Sequence, residues 1–466
     1  MRPAAALLVL LLPACTTVGP DYKRPQVELP AQYAQALSNE SPQLAANWWM
    51  LYRDPQLDAL VAAAQASNAD LRFAVARVLE AEGVWREARA SLFPEVTGSF
   101  AYTDSRTSTR IVPAPLPPLV RPNYQLLAST TFELDFWGRL SRANEAAQAN
   151  LLSTQYARDV VALSLASATA QTYFGVRSLD VQLRVLDETI RTRREVLQLT
   201  RDRLNAGIAS ELDVHQAQGA LSDALVQRRD TDRQRALLER QLGQLAGKLD
   251  LRLAAGDLFA LPVPPTPPAG LPSQLLERRP DVRSSEQSLV AANAQIGVAR
   301  AALFPTLSLT GALGAQSGNL SSLVASGAGV WTLGYALTLP IFDAGRREAR
   351  VQQATGREEQ ALAAYVKSVQ SAFVEVSQGL VNVEQSGATE ADLQDRLNAA
   401  RNALELSTLR YESGYSPFLE VLDAQRTAND AELAFVRNRQ ARLSFSVDLM
   451  KALGGGWQPP SQSSRN

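Results

Sequence analysis

The chain has 466 residues, 46% of them hydrophobic and 20% charged, which is enough for a sizeable core. The 46 basic and 47 acidic side chains nearly cancel, so the charge balance argues against a nucleic-acid partner and against an acidic tail. The single Cys15 and the single His215 exclude an internal disulfide and a Cys/His zinc cluster, which needs about four ligands.

The N-terminus has the pattern of a secretory signal, with a positive start, an apolar run and a small residue before Cys15. The run is shorter than the roughly 20 residues that a membrane span needs. Its end resembles a bacterial lipobox, which implies that Cys15 carries N-palmitoyl and S-diacylglycerol groups. We expect a signal peptide over 1–14 and a lipidated segment over 15–52, held at the outer membrane because residue 16 is Thr rather than Asp. An ordinary signal peptide with an incidental cysteine is the alternative.

An internal repeat is the strongest feature of the sequence. Three motifs occur twice in the same order: Asp70 to Leu92-Phe-Pro94 with Asp281 to Leu303-Phe-Pro305, Phe136-Trp-Gly138 with Phe342-Asp-Ala-Gly345, and Arg203-x3-Gly207 with Arg410-x3-Gly414. Each copy predicts a helix, a β-hairpin, a long helix, a turn and a second long helix. The copies cover 53–248 and 273–457. Between them, 249–272 is too rich in proline for a helix or central strand and predicts a surface linker, while 458–466 predicts a disordered tail.

Four strands are predicted by alternation with a period of two, in hairpins over 95–136 and 306–342. One face of each strand is apolar and the other carries small hydroxyl groups, as in a membrane barrel with lipid outside and water inside. A soluble sandwich with one wet face is the alternative. Since the smallest barrels need about eight strands, several copies of the chain would have to contribute strands to one barrel.

The helices that follow the hairpins are too long for a globular domain. No proline occurs from Leu140 to Ala206 or from Arg346 to Ser413, so each helix would approach ~100 Å. Leucines recur at coiled-coil spacing, and each helix ends at a glycine turn, from which a partner helix returns. The predicted fold is mainly α with a membrane β-barrel. A coiled coil of cytoskeletal type is the alternative, and a secretion signal with β-hairpins argues against it.

Together these motifs resemble a known family, the TolC-like outer membrane factors, and within it the NodT lipoprotein branch. The resemblance covers nearly the whole mature chain and includes Cys15-Thr-Thr-Val-Gly-Pro20, Asn47-Trp-Trp49, both Leu-Phe-Pro corners, Leu422-Asp-Ala-Gln425 and Gly454-Gly-Gly-Trp457. It implies a homotrimer with a twelve-stranded barrel in outer-membrane lipid, continued by a long helical tunnel in the periplasm. It also implies two partners, a periplasmic membrane-fusion adaptor and an inner-membrane transporter of the resistance-nodulation-division (RND) type.

The resemblance also assigns candidate site residues. Leu419 and Asp423 match the constriction at the periplasmic end, where a leucine ring would block by dewetting and a carboxylate ring would select cations. Arg426, one turn further on, could pair with a neighbouring acid and latch the closed state. An ordinary helix surface is the alternative for Asp423 and Arg426. The residues that match adaptor-docking tips are Asn205, Gly207, Ser210, Ser413, Gly414 and Pro417.

The expected function is a passive exit duct for drugs or other small solutes in a tripartite efflux pump. An outer-membrane channel for type I protein secretion is the alternative, and metal efflux has no support from the scarcity of His and Met. An enzyme is disfavoured, because Gly243 to Leu249 is one residue short of a P-loop and ends in Leu where Ser or Thr would hold Mg²⁺. His215 is expected in solvent, and no catalytic residue, metal or further cofactor is predicted.

Overall fold

The computed structural model describes residues 17–34, 44–106, 108, 120–270 and 272–458, so Cys15 lies outside the described residues. A 3-10 turn at Trp48–Tyr52 precedes the longer elements. These are α1 Pro55–Ser67, α2 Ala69–Ala90, β1 Glu95–Arg106, β2 Val120–Leu134, α3 Arg139–Asn205, α4 Glu211–Leu245, α5 Leu275–Arg278, α6 Pro280–Ala301, β3 Thr306–Ser317, β4 Gly329–Thr338, α7 Arg346–Glu412 and α8 Phe418–Ala452.

The element lengths agree with the internal repeat. Helices α3 and α7 each have 67 residues, and α4 and α8 each have 35. The hairpins are shorter than predicted. Strand β2 ends before Asp135, whose carboxylate accepts the backbone N–H groups of Leu140 and Ser141 in the first turn of α3 at 2.9 and 2.7 Å. Strand β4 ends before Pro340, which lacks the N–H that a strand pairing needs.

The four strands form one antiparallel sheet in the order β1-β2-β3-β4. The register pairs Thr97 with Ser129 in the first hairpin and Ser308 with Ala336 in the second. Strands β2 and β3 join the two hairpins, with Thr131 opposite Thr310. Strands β1 and β4 are therefore the two edges of the sheet.

Two compact units divide the described residues, and they do not coincide with the two sequence repeats. The first contains the described residues within 1–26, 77–154 and 285–365, and the second those within 27–76, 155–284 and 366–466. Each repeat contributes to both units, because α3 and α7 are long enough to have residues in each.

In the first unit, an N-terminal segment over 17–26 lies against the end of the first hairpin. The backbone N–H of Val18 donates to the carbonyl of Trp137 at 3.0 Å. Gly19 has φ 117° and approaches Gly297 so closely that a Cβ atom on Gly19 would lie 2.6 Å from the Gly297 Cα. Only glycine fits both the backbone conformation and the space at residue 19.

In the second unit, the largest core cluster joins the N-terminal turn to α1, α3, α4 and α8. Its largest fully buried members are Trp48, Tyr52, Leu57, Tyr173, Phe174, Leu242, Leu258 and Leu443. The Tyr52 hydroxyl bonds the Ser446 hydroxyl at 2.7 Å inside this cluster, which satisfies the polar end of a buried ring.

The proline-rich linker, which the sequence predicts to run over the surface, is also bonded to α3 and contributes to the core. The buried Asp180 carboxylate accepts the linker N–H of Gly256 at 3.0 Å and pairs with Arg177 and Arg235 at 3.1 and 2.7 Å. Leu258, two residues further on, is fully buried in the core cluster. A carboxylate on α3 therefore anchors the linker and directs a leucine inward, which proline content alone does not predict.

No helix in the described ranges is both long enough and apolar enough to cross a membrane.

Candidate gate and docking tips

The first tip connects α3 to α4 through a well-capped turn. Gly207 has φ 78°, the left-handed conformation that commonly ends a helix. Ser210 and Asp213 form a capping box, in which the Asp213 N–H donates to the Ser210 hydroxyl at 3.2 Å and the Ser210 N–H donates to the Asp213 carboxylate at 2.9 Å. The start of α4 is therefore fixed by two reciprocal hydrogen bonds.

The second tip connects α7 to α8 through an equivalent turn with a weaker cap. Gly414 has φ 79°, but the N-cap of α8 is Pro417, which makes no side-chain capping bond. A missing cap of this kind costs about 1 kcal/mol of helix stability. All six residues predicted at the two tips are exposed, so the structure leaves them accessible to a partner.

The three predicted gate residues share the exposed face of α8. Leu419 is 60% exposed, whereas Phe418 and Val421 on the opposite face are buried. Arg426 donates to the Asp423 carboxylate at 2.7 Å, and both side chains are largely exposed. The acid that pairs with Arg426 in a single chain is therefore Asp423 itself, three residues earlier on the same helix.

A small apolar core, which sequence reasoning did not identify, packs the two tip hairpins of one chain together. It contains Ile190 and Leu197 of α3, three residues of α4, and residues of the second hairpin that include Tyr411 and Phe418. The Tyr411 and Phe418 rings lie 5.5 Å apart. The second hairpin is therefore packed against the first and is not free.

Arg203 adds a polar link beside this core. Its guanidinium lies 4.5 Å from the centre of the Tyr411 ring and donates to the Tyr411 carbonyl at 2.9 Å. Arg410 occupies the same place in the second repeat, yet it pairs with the exposed Glu420 at 3.2 Å. The repeat identifies both arginines, but only the structure shows that Arg203 contacts the other hairpin whereas Arg410 pairs with a residue of its own hairpin.

Arg193 is a second arginine that the sequence did not single out. It is only 8% exposed, donates to the Ala220 carbonyl, and its Nε has no partner among the described residues. Burial lowers the pKa of Arg193, and the nearby Asp223 and Asp430 oppose that effect. A buried donor without a partner costs about 1–3 kcal/mol, so Arg193 offsets part of the stability that packing gives the first hairpin.

The single histidine of the chain lies close in sequence to the first tip. His215 is exposed near the start of α4. Across the described ranges, no group of three or more His, Cys, Asp or Glu side chains is placed to hold a metal ion.

Comparison with known proteins decides the family. The model of the outer membrane efflux protein family matches residues 60–248 and 271–455. The chain belongs to this family. The two matched ranges correspond to the two sequence repeats, and the resemblance to TolC-like channels is confirmed.

The chain is similar over nearly its whole length to several named efflux proteins. The toluene efflux pump outer membrane protein TtgC of Pseudomonas putida is 32% identical over 97% of this chain and 95% of its own. The cation efflux system protein CusC of Escherichia coli is 32% identical over 97% and 98%. The solved structure of the outer-membrane channel OprN is 29% identical, with a TM-score of 0.89 over 95% of this chain and 100% of its own.

These findings establish the class of the efflux protein. It is an outer-membrane efflux channel protein that extends into the periplasm, as the resemblance implied. Its mainly helical fold with a small sheet matches solved channels of the TolC family.

The Arg203 contact generates a prediction for the efflux protein. Arg203→Gln removes a charged hydrogen bond and a cation–π contact worth about 0.5–2 kcal/mol. We expect faster amide hydrogen exchange over residues 408–418, measured by mass spectrometry on the detergent-solubilised protein.

The matched control is Arg410→Gln, the same change at the equivalent position. Its exposed ion pair contributes about 0–1 kcal/mol, so exchange at the tips should stay unchanged. Equal exchange in the two variants would show that Arg203 does not join the hairpins.

Proposed function

We propose that three copies of this chain form the passive exit duct of a tripartite efflux pump for drugs or other small solutes. A periplasmic membrane-fusion adaptor engages the exposed tips, and an inner-membrane RND transporter supplies the energy. In this proposal the duct itself carries out no chemistry.

The observation that carries the proposal is the incomplete sheet. Strands β1 and β4 are edges, and β4 exposes Trp331, Leu333, Tyr335 and Leu337 on one face, each at least 67% accessible. Such a face suits lipid, whereas an open edge in lipid leaves backbone groups unpaired at several kcal/mol each. Closing the sheet with further copies satisfies both requirements, and three copies supply twelve strands.

In a trimer, the exposed face of α8 would be repeated three times around one axis. Three copies of Leu419 would form an apolar ring that excludes water, and three copies of Asp423 a carboxylate ring that favours cations. Arg426 would neutralise part of that ring, because it pairs with Asp423 in each chain. The weak cap at Pro417 supports the second hairpin as the one that moves when the gate opens.

Lipidation at Cys15 is part of the same proposal. The chain enters the described structure at Thr17, and Val18 is bonded to Trp137 just beyond the end of β2. An acyl group attached two residues earlier would lie close to the end of the membrane sheet. Each buried CH₂ adds about 0.8 kcal/mol of anchoring, so three acyl chains hold stably.

Type I protein secretion remains the alternative function. The names of the relatives include toluene and cation efflux, so the shared architecture serves different cargoes. The partner at the tips therefore distinguishes the functions better than the duct itself.

The partner is tested by photo-crosslinking in cells. Because Gly207 and Gly414 have positive φ, the probe belongs at the adjacent Ile208 and Tyr415, which are 67% and 81% exposed. We expect capture of an adaptor together with an RND transporter, identified by mass spectrometry. A probe at Val324, between β3 and β4, is the control that should not capture them. An adaptor with an ATP-driven exporter would favour secretion, and no adaptor at either tip would contradict the proposal.

The gate is tested by conductance. We expect Leu419→Ala combined with Asp423→Ala to raise single-channel conductance in planar bilayers several-fold, because the ring loses its apolar and charged groups. The matched control changes the first-repeat equivalents, Leu212→Ala with Gln216→Ala, and should leave conductance nearly unchanged. If the two variants behave alike, Leu419 and Asp423 are not the constriction.

The anchor is tested by labelling with radioactive palmitate. Cys15→Ser should abolish incorporation, since Cys15 is the sole cysteine of the chain. Incorporation that survives the substitution would place the acyl groups on another residue.

A further inference from the structure

The two repeats differ at one position in the middle of their long helices. The offset of 207 positions that relates the two tip glycines also relates Asp180 of α3 to Gly387 of α7. Asp180 is buried, pairs with Arg235 of α4 at 2.7 Å and holds the linker through the Gly256 N–H at 3.0 Å. The second repeat therefore has a glycine where the first has its anchoring carboxylate.

Arg442 of α8 is the repeat equivalent of Arg235. Its guanidinium lies beside Gly387, where a Cβ atom would come no closer than 3.7 Å to it. Because position 387 offers no carboxylate, Arg442 pairs with Glu390, almost one turn further along α7. The ion pair between the two helices is kept, but no side chain at position 387 fixes α7.

Ser386 and Gly387 together form a pair of residues at which helices commonly kink. The Ser386 hydroxyl bonds back to the Val383 carbonyl at 3.1 Å, and the Asn438 amide of α8 donates to the Ser386 carbonyl at 3.2 Å. A side chain that competes for a helix carbonyl weakens the hydrogen-bond ladder at that point. Glycine adds backbone freedom at the next residue, so α7 is locally weak here.

Packing within the chain does not require glycine at position 387. At Gly175, the interior glycine of α3, a Cβ atom would lie 2.9 Å from the Leu238 side chain, so lack of space explains that glycine. At Gly387 the nearest atoms belong to Arg442 and would lie 3.7–3.9 Å away, which is an ordinary contact distance. Alanine would therefore fit, and the stability that glycine costs inside a helix has no compensating contact in the chain.

The linker holds the second hairpin near the level of Gly387. Phe259 of the linker stacks on Phe435 of α8 at 5.3 Å, and the Leu261 carbonyl accepts from Arg439 at 2.8 Å. From Gly387, α7 continues for another 25 residues to its end at the tip. At 1.5 Å per residue this is a lever of about 38 Å, so a bend of about 10° would move the tip by roughly 6–7 Å.

We propose that α7 bends at Ser386 and Gly387 when the gate opens, whereas Asp180 keeps the equivalent position of α3 fixed. Gly387 is then a positioning residue, because it allows the second tip to move without contacting the solute. This inference rests on the proposed gate and adds the point about which the second hairpin moves.

The hinge is tested with Gly387→Ala in the full-length protein. Alanine is about 1 kcal/mol more favourable than glycine inside a helix, which corresponds to a roughly five-fold lower population of the bent state. We expect hydrogen exchange of the amides of 387–391, measured by mass spectrometry in detergent, to slow about five-fold. Spontaneous channel openings in planar bilayers should become rarer by a similar factor.

The matched control is Gly356→Ala in the same helix, where a Cβ atom would meet nothing within 4 Å. It makes the same gain in helix propensity away from the hinge, so it should change neither exchange over 387–391 nor the frequency of openings.

A second variant restores the carboxylate of the first repeat. Gly387→Asp places an acid beside Arg442, as Asp180 lies beside Arg235, and should also slow exchange over 387–391. Combining it with Arg442→Gln removes the new ion pair, so exchange should return toward the wild-type rate.

Wild-type exchange over 387–391 in the Gly387→Ala variant would overturn the hinge. Slower exchange with an unchanged frequency of openings would also overturn it, because the bend would not be coupled to the gate. A protein that forms no channel, even with Leu419→Ala and Asp423→Ala, would contradict the proposed duct and with it the link to the gate. The exchange data would still show whether α7 bends at Gly387, so the two failures can be told apart.

Discussion

Backbone hydrogen bonding at the sheet edges is the constraint on which the other features of this efflux protein depend. Strands β1 and β4 each present a row of N–H and C=O groups that no described segment of the chain satisfies. In lipid such groups must be paired, and the proposed trimer would pair them with strands of further copies. In that assembly the apolar face would lie against lipid and the polar face would surround water.

The second unit contains buried charged side chains in two different environments. Around Asp180, two arginines and a backbone N–H satisfy a buried carboxylate, and this arrangement holds the linker in place. At Arg193, a buried guanidinium donates to the Ala220 carbonyl of α4 but leaves its Nε without a partner among the described residues. A fully satisfied network makes its surroundings rigid, whereas an unsatisfied buried donor lowers stability.

Much of the fold could be predicted from hydrophobic periodicity and from the positions of proline and glycine. The proline-free runs predicted α3 and α7 to within a residue or two at their ends, and Gly207 and Gly414 marked the turns that follow them. Contacts between distant segments could not be predicted, because they leave no local pattern. Arg203 and Arg410 stand in the same motif but have different partners, and the burial of Leu258 depends on a carboxylate some 80 positions earlier in the chain. The roles of Leu419, Asp423 and Arg426 remain predictions, although their shared exposed face is compatible with a gate.

The open edges also have a consequence for biogenesis. Before assembly, each newly exported chain carries two unpaired strands beside an exposed apolar face, the same combination that promotes edge-to-edge aggregation. The first hairpin can at least pair with the second, which leaves two open edges where separate hairpins would have four. In the proposed trimer, pairing with further copies would cover both edges, so assembly itself would remove this tendency to aggregate.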